Sequence, residues 1–385
     1  MNNKSELISI NDARNLILSN QLLLQNNKCK TKYDLLNLID TLGYLQIDTI
    51  SVVERSHHHI LWSRMPTYKK EMLSELLEKD KLIFEYWSHA ASFLPVTDYK
   101  FSLIRTNNIA KKYKSCGSAN NRIIKRVFDR IKSEGPLQSK DFDDKRKSSS
   151  GWWDWKPSKD ALDFLFHTGK LMVAKRNGFQ KVYDLTERVL PECNGISIPS
   201  EKELYAHLIM KSLKSNGIVT EKEIMYLRRY DKSIFKKILD ELREDNIIRE
   251  VRINNSGNEV YFTTEDNLNN AENIKHKNMI HILSPFDNFV IQRKRLKEIF
   301  DFNYQIECYV PKPKRKFGYF VLPVLKGNKF IGRIDAKASR DTGTFRVINF
   351  FPEVNFQYSK SSGYNLIKKI NSLSEFSGCS QVEGI

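Results

Sequence analysis

Lys132-Ser-Glu-Gly-Pro-Leu-Gln-Ser-Lys-Asp-Phe142 returns further along the chain as Lys214-Ser-Asn-Gly-Ile-Val-Thr-Glu-Lys-Glu-Ile224. Self-similarity of this kind marks a structural unit used more than once. Each copy follows an amphipathic segment, Ile123 to Ile131 in the first and Leu204 to Leu213 in the second. Each places a glycine, Gly135 or Gly217, where a helix should end, and then a small polar residue, Ser139 or Thr220, suited to cap another. A third apolar-periodic stretch comes next, Ala161 to Phe166 and Ile234 to Leu242, and then alternating residues broken by a turn. Leu171 to Asp184 carries an Asn-Gly hairpin signal, and Ile247 to Tyr261 has the same form. Three helices followed by a two-stranded wing make a winged helix-turn-helix, present here in two clear copies.

Working outward, residues 8–68 supply the pieces of a third, more divergent unit. From Ile280 onward the pattern turns to strands: Tyr304 to Val310, Gly318 to Leu325, Lys329 to Lys337 and Thr344 to Phe350, with hairpin-length connections that suggest an antiparallel meander. The expected class is α+β. The expected division is 1–116 for an N-terminal winged-helix-like unit, 117–196 and 197–270 for the second and third units, 271–360 for a β-rich domain, and 361–385 for a helix with a frayed tail. Trp152, Trp153 and Trp155 form an aromatic knot whose expected role is packing between modules.

Lys and Arg number 63 against 46 Asp and Glu, a net charge of +17, while the apolar share of 40% is enough for globular packing. Cations spread over every segment point to nucleic acid rather than to one lipid contact. The wings contribute Lys175, Arg176 and Lys181 in one copy and Arg249 and Arg252 in the other, placed to straddle phosphates. The connection Pro311-Lys-Pro-Lys-Arg-Lys316 is too basic and too stiffened by proline for an ordinary turn, and it suits insertion into a DNA groove. No apolar run approaches the length that crosses a bilayer and the first residues lack an apolar leader, so no membrane partner and a cytoplasmic, nucleoid-associated location are expected. Cys29, Cys116, Cys193, Cys308 and Cys379 lie far apart without a Cys-x-x-Cys pair, the pattern of reduced thiols rather than of a zinc site or a disulfide framework.

Gln46-Ile47-Asp48 places two functional side chains on one face of an extended backbone, with Leu45 and Ile47 on the other. Ser51 and Glu54 stand at capping-box spacing, so a helix is expected to open just after the carboxylate. That helix would carry Arg55, His57, His58, His59, Trp62 and Arg64, a set suited to an anionic partner. The plainer reading is that Gln46 and Asp48 satisfy turn and cap hydrogen bonds.

Several segments together resemble the YcaQ family of winged-helix DNA glycosylases, the AlkZ-like group that unhooks interstrand crosslinks. They are Leu45-Gln-Ile-Asp-Thr-Ile50, Arg55 through Arg64, Glu85-Tyr-Trp-Ser-His-Ala-Ala-Ser92, Gly151-Trp-Trp-Asp-Trp-Lys-Pro157, Gly178 to Leu185, Ser284-Pro-Phe-Asp287 and Gly332-Arg-Ile-Asp335. Their order and spacing are specific over residues 8–350. The family's signature is Gln, an apolar residue, then Asp or Gln, and Gln46, Ile47 and Asp48 are similar to its Asp-bearing, broad-acting branch. Three consecutive histidines at 57–59 depart from the family pattern. The resemblance implies three winged-helix units and a C-terminal antiparallel β domain around a channel for duplex DNA.

An alkylated purine is cationic and leaves without a proton, so the enzyme must stabilise an oxocarbenium-like sugar and deliver water. Asp48 suits both tasks, and Gln46 would hold the water in line. No lysine lies in the signature, so a monofunctional hydrolysis is expected, with no metal and no cofactor. A base tied to the opposite strand cannot enter a closed pocket, so crosslink repair needs an open site. Arg55, His58, Trp62 and Arg64, with Lys312, Lys314, Arg315 and Lys316, are the expected contacts to double-stranded DNA carrying alkylated or crosslinked purines, and a monomer suffices. The competing readings are a winged-helix transcriptional regulator, which tolerates loss of Asp48, and a metal-dependent nuclease built on His57, His58, His59 and His89, whose ligands would splay around a helix.

Overall fold

The computed structural model describes residues 6–24, 29–116, 121–142, 157–254, 257, 259–271, 274, 277–354, 356–357 and 359–384. Trp152, Trp153 and Trp155 lie outside the described residues. The chain gathers into two compact units, each assembled from pieces that are distant in sequence: one from 1–68, 89–91 and 205–385, the other from 69–88 and 92–204.

In the smaller unit, the helix Asn121–Glu134 ends in Gly135 at φ +91°, and the two-residue strand Leu137–Gln138 follows. The turn Ser139–Asp141 is capped by Gln138 with Asp141, one residue earlier than the expected Ser139 cap. The helix Pro157–His167 buries Ala161, Leu162, Leu165 and Phe166, as its period requires. The hairpin of Leu171–Asn177 and Gln180–Leu185 turns where Asn-Gly forecast it, with Gly178 at φ +59° and Asn177 opposite Gln180. Two of its three cations turn to a carboxylate of the same unit, while Lys175 is exposed. Arg176 makes two 2.8 Å bonds to the buried Glu85 carboxylate, and Lys181 adds a third contact at 3.2 Å. A carboxylate sealed in the strand Ile83–Trp87 needs those charges more than solvent does.

The larger unit repeats the order of elements. The helix Glu201–Asn216 gives way at Gly217, φ +71°, to the strand Ile218–Val219. Thr220 then caps the next turn in a capping box with Glu223. The helix Lys232–Glu244 and the strands Arg249–Ile253 and Tyr261–Thr263 complete the copy. Glu6–Ile8 adds to this sheet in parallel with Val251 to Ile253, so the first described residues close an edge supplied by the middle of the chain.

The β region of this unit is a five-stranded sheet ordered Ile280–Ile282, Val321–Lys326, Lys329–Ser339, Thr344–Pro352, Gln381–Glu383. The first three pairings are antiparallel, as expected, and the last is parallel. Two expectations are corrected. Tyr304 to Val310 is not a strand: its buried Glu307 spends its carboxylate on backbone N–H groups of a neighbouring loop, and the edge place in the sheet goes to Ile280–Ile282 instead. The tail is not frayed either, since the helix Lys360–Phe376 returns the chain to pair with Thr344 to Arg346. A core of Leu16, Ile17, Phe289, Phe300, Phe302 and Phe330 joins the N-terminal helix Ile10–Asn20 to this region, with the Phe302 and Phe330 rings stacked at 4.0 Å.

Candidate active site

The helix Lys32–Leu42 opens on a capping box of Thr31 with Asp34 and stops at Gly43, φ +82°. The left-handed turn is what requires glycine at 43, since the nearest neighbour of an added side chain would be the flexible Lys211, its Cε 2.9 Å away. The chain leaves this turn as the short strand Leu45–Gln46, and Ile47 N donates to Ala91 O at 2.8 Å. Leu45 and Ile47 point into the core. Gln46 is also buried, 8% exposed, with Oε1 3.1 Å from His89 Nε2. Asp48, half-buried, stands past the end of the strand.

Asp48 Oδ1 accepts the Ile50 N–H at 2.7 Å. Burial raises the Asp48 pKa above the ordinary carboxylate value, and the N–H groups of Ile50 and Thr49 and the charge of Arg55 oppose that rise only in part. Arg55 also donates to Thr49 O at 3.3 Å. The result is a carboxylate with limited hydration and one cation beside it.

The helix after the carboxylate starts later than its expected capping box. It spans Ser56–Arg64 with Arg55 at the cap position, because buried Glu54 accepts the Arg55 N–H at 2.8 Å and Ser56 Oγ donates to Gln46 O at 3.0 Å. The helix is sealed on nearly every side, which its polar sequence conceals. His59 Nε2 lies 2.9 Å from Ile282 O, and burial pulls its pKa down to about 4. Trp62 stacks on Phe376 at 5.6 Å, with the Lys369 ammonium 4.1 Å over its ring. Arg64 forms a two-pronged pair with Asp287 at 2.7 and 2.9 Å, both side chains fully buried. Trp62 and Arg64, expected at the DNA surface, are therefore core residues. His58 is half-buried, its Nδ1 2.7 Å from Tyr68 Oη. Of Arg55, His58, Trp62 and Arg64, the residues of this segment expected at DNA, Arg55 is the one whose charge acts on Asp48.

The basic connection is built as a clamp. Glu307 accepts the N–H groups of Lys316, Phe317 and Gly318 at 2.8, 2.8 and 3.0 Å, which holds the carboxylate pKa below its usual value despite its burial. Arg315 donates to Val310 O at 2.8 Å, and its guanidinium lies 4.8 Å over the Tyr319 ring. Lys312, Lys314 and Lys316 are exposed. Burial raises the Cys308 thiol and the Tyr309 phenol, and the Asp48 charge raises both further, so the foot of the clamp lies within electrostatic reach of that carboxylate. Gly318, φ +142°, presses against Asp335: a Cβ there would fall 2.2 Å from Oδ2. His89, Glu307, Cys308 and Tyr309 are the site residues that periodicity and motif spacing do not pick out for these roles. Glu307→Ala is expected to free the clamp, with trypsin cutting after Lys314, Arg315 or Lys316 several-fold faster than in wild type while Tm falls by less than the cost of a core mutation; an unchanged cleavage rate contradicts the clamp.

Among the described residues no three His, Cys, Asp or Glu side chains are grouped to hold a metal ion, and no helix is long and apolar enough to cross a membrane. With this geometry in place, the family model for AlkZ-like DNA glycosylases matches residues 39–354, a stretch that holds Gln46, Asp48 and the clamp. The chain belongs to the AlkZ-like DNA glycosylase family. Its fold is similar to the Streptomyces sahachiroi DNA glycosylase AlkZ, with a TM-score of 0.63 over 97% of this chain and 98% of that one at 16% identity. Membership in the AlkZ-like family makes DNA the substrate class, and the excess of cations accords with it.

Proposed function

We propose that the chain is a monofunctional glycosylase that hydrolyses the N-glycosidic bond of N-alkylated, cationic purines in duplex DNA, unhooks interstrand crosslinks and leaves abasic sites. Asp48 is the group that stabilises the developing positive charge at C1′ and draws the proton from the attacking water, and Gln46 orients that water. The observation that carries this reading is the half-buried Asp48: one oxygen is tied to the Ile50 N–H, its charge is only partly compensated, and buried Gln46 stands beside it on the same short segment. The helix–strand–helix–hairpin copies in each unit support reading them as winged helices, with residues 8–68 as a third, divergent module, and we propose that the modules track a duplex. Arg55 and the exposed Lys312, Lys314 and Lys316, with Arg315 at the base, supply cations for the phosphates near the target. A single site on one chain needs no second subunit, so the working form is a monomer.

The chemistry follows from the charge of the leaving group. A 7-alkylguanine departs neutral once the bond breaks, so no acid is required to protonate it. What remains is a cationic sugar and a water molecule, and one carboxylate serves both. No lysine side chain is placed in this scheme to form an imine with the sugar. Duplex DNA bearing one 7-methylguanine is expected to be cut by this protein only after alkali, and sodium borohydride is expected to trap no covalent adduct. Tight binding without alkali-sensitive cleavage would leave the transcriptional regulator as the better reading.

A further inference from the structure

Gln46 does not stand alone in its site. Its side-chain oxygen faces His89 Nε2 at 3.1 Å, and its backbone oxygen accepts from Ser56 Oγ at 3.0 Å. The His89 ring is gripped edge-on by Tyr44 at 4.9 Å and 79° and by Tyr226 at 5.4 Å and 66°. Burial, aided by the charge of Arg228, lowers the His89 pKa to about 4, so the imidazole is neutral wherever duplex DNA is repaired. A neutral imidazole carries one N–H, and a nitrogen facing an amide oxygen at hydrogen-bond distance is the one that bears it. The Gln46 amide oxygen is thereby occupied from behind, and its two N–H groups are left for the side where the reaction takes place.

We infer that His89 is the positioning residue for Gln46: it fixes the amide so that a donor, not an acceptor, meets the nucleophilic water. The inference rests on the glycosylase reading given above. Held by a donor on its oxygen, the water directs a proton to Asp48 and a free lone pair to C1′; an amide turned the other way would compete with Asp48 for the same protons. Without His89 the glutamine side chain has several staggered rotamers to sample, and few of them serve. Tyr44 and Tyr226 act one step further back, by keeping the imidazole plane aligned with the amide.

The test is a double-mutant cycle read by single-turnover release of 7-methylguanine from duplex DNA, with binding to the same duplex measured in parallel. Variants are His89→Ala, Gln46→Ala, the pair together, and His89→Gln, whose amide nitrogen reaches the place of Nε2. His89→Ala is expected to slow excision by about ten- to a hundred-fold at unchanged DNA affinity. In the Gln46→Ala background it is expected to cost nothing further, because its partner is already gone. His89→Gln is expected to recover most of the rate, which also separates the hydrogen bond from the fold. Losses that multiply in the double variant, or an unaffected His89→Ala, overturn the inference. Failure of the wild-type protein to release any base overturns the glycosylase reading itself, and the role of His89 falls with it.

Discussion

Asp48→Asn is expected to slow single-turnover excision of 7-methylguanine by about a hundred- to a thousand-fold while leaving affinity for the same duplex unchanged. The substitution keeps the volume and retains an oxygen for the Ile50 N–H, so the local turn survives. What disappears is the negative charge that a cationic sugar draws on in the transition state and the base that accepts the water's proton. In the proposed scheme affinity is set elsewhere, by Arg55 and the exposed lysines of the clamp, so the loss should appear in the chemical step. A regulator predicts the opposite pattern, with Asp48 dispensable and operator binding the only activity.

The pH dependence separates this from a structural role. Asp48 acts ionised, and burial raises its pKa, so the acid limb of the rate profile lies above the ordinary aspartate value of about 4, and the rate falls as pH drops through it. His89, with its pKa near 4 and neutral in the working form, adds no inflection between pH 6 and 7. The sign for stability is the reverse of the sign for activity. A carboxyl whose folded-state pKa exceeds its unfolded value binds its proton more readily in the folded chain, so its ionisation costs stability at neutral pH and the cost is relieved on acidification. Asp48→Asn should therefore melt at the same temperature as wild type or higher at pH 7. A lower Tm, together with lost activity, would place Asp48 among the turn and cap residues.

The sequence revealed local features well and long-range ones poorly. Gly217 and Thr220 ended one helix and opened the next because a left-handed residue and a capping hydroxyl act over a few neighbours. The Asn177-Gly178 turn did the same for its hairpin. Nothing local announces that Glu6–Ile8 pairs in parallel with Val251 to Ile253, or that Gln381–Glu383 closes the sheet, since partners of that kind are chosen by the folded whole. In the site, Gln46 and Asp48 became candidates through the family resemblance, since their spacing alone fits a turn and cap equally well, and the basic connection through its composition. His89 as the partner of Gln46 was not legible, because the two are joined through space only. The helix Ser56–Arg64 misled for a related reason: a run of Ser, His and Arg reads as a wet face, and here two of the buried polar side chains have found partners far along the chain, Ile282 for His59 and Asp287 for Arg64.

Asp287→Ala is expected to cost about 4 kcal/mol of stability, a fall in Tm on the order of 10 °C. The guanidinium it faces is fully buried and already donates to Gln21 O at 2.7 Å and to Ser63 Oγ at 3.1 Å, so no solvent is at hand to take up the charge left behind. Asp287 has a second task, accepting the Phe289 N–H at 3.0 Å, which Asn retains; Asp287→Asn is expected to lose less. Removing both charges with Arg64→Met and Asp287→Leu should cost less than the two single losses combined, because the penalty comes from one charge stranded without the other. The same pair of variants decides whether Arg64 ever reaches DNA. Deleting a phosphate contact lowers the salt dependence of binding by about one unit of slope, and deleting a core ion pair leaves it alone. With the guanidinium held between Asp287 and Gln21, the double variant should bind DNA with the wild-type slope below its melting temperature. A slope reduced by about one would mean that the helix turns Arg64 outward when DNA is bound, and that the core pairing belongs only to the free protein.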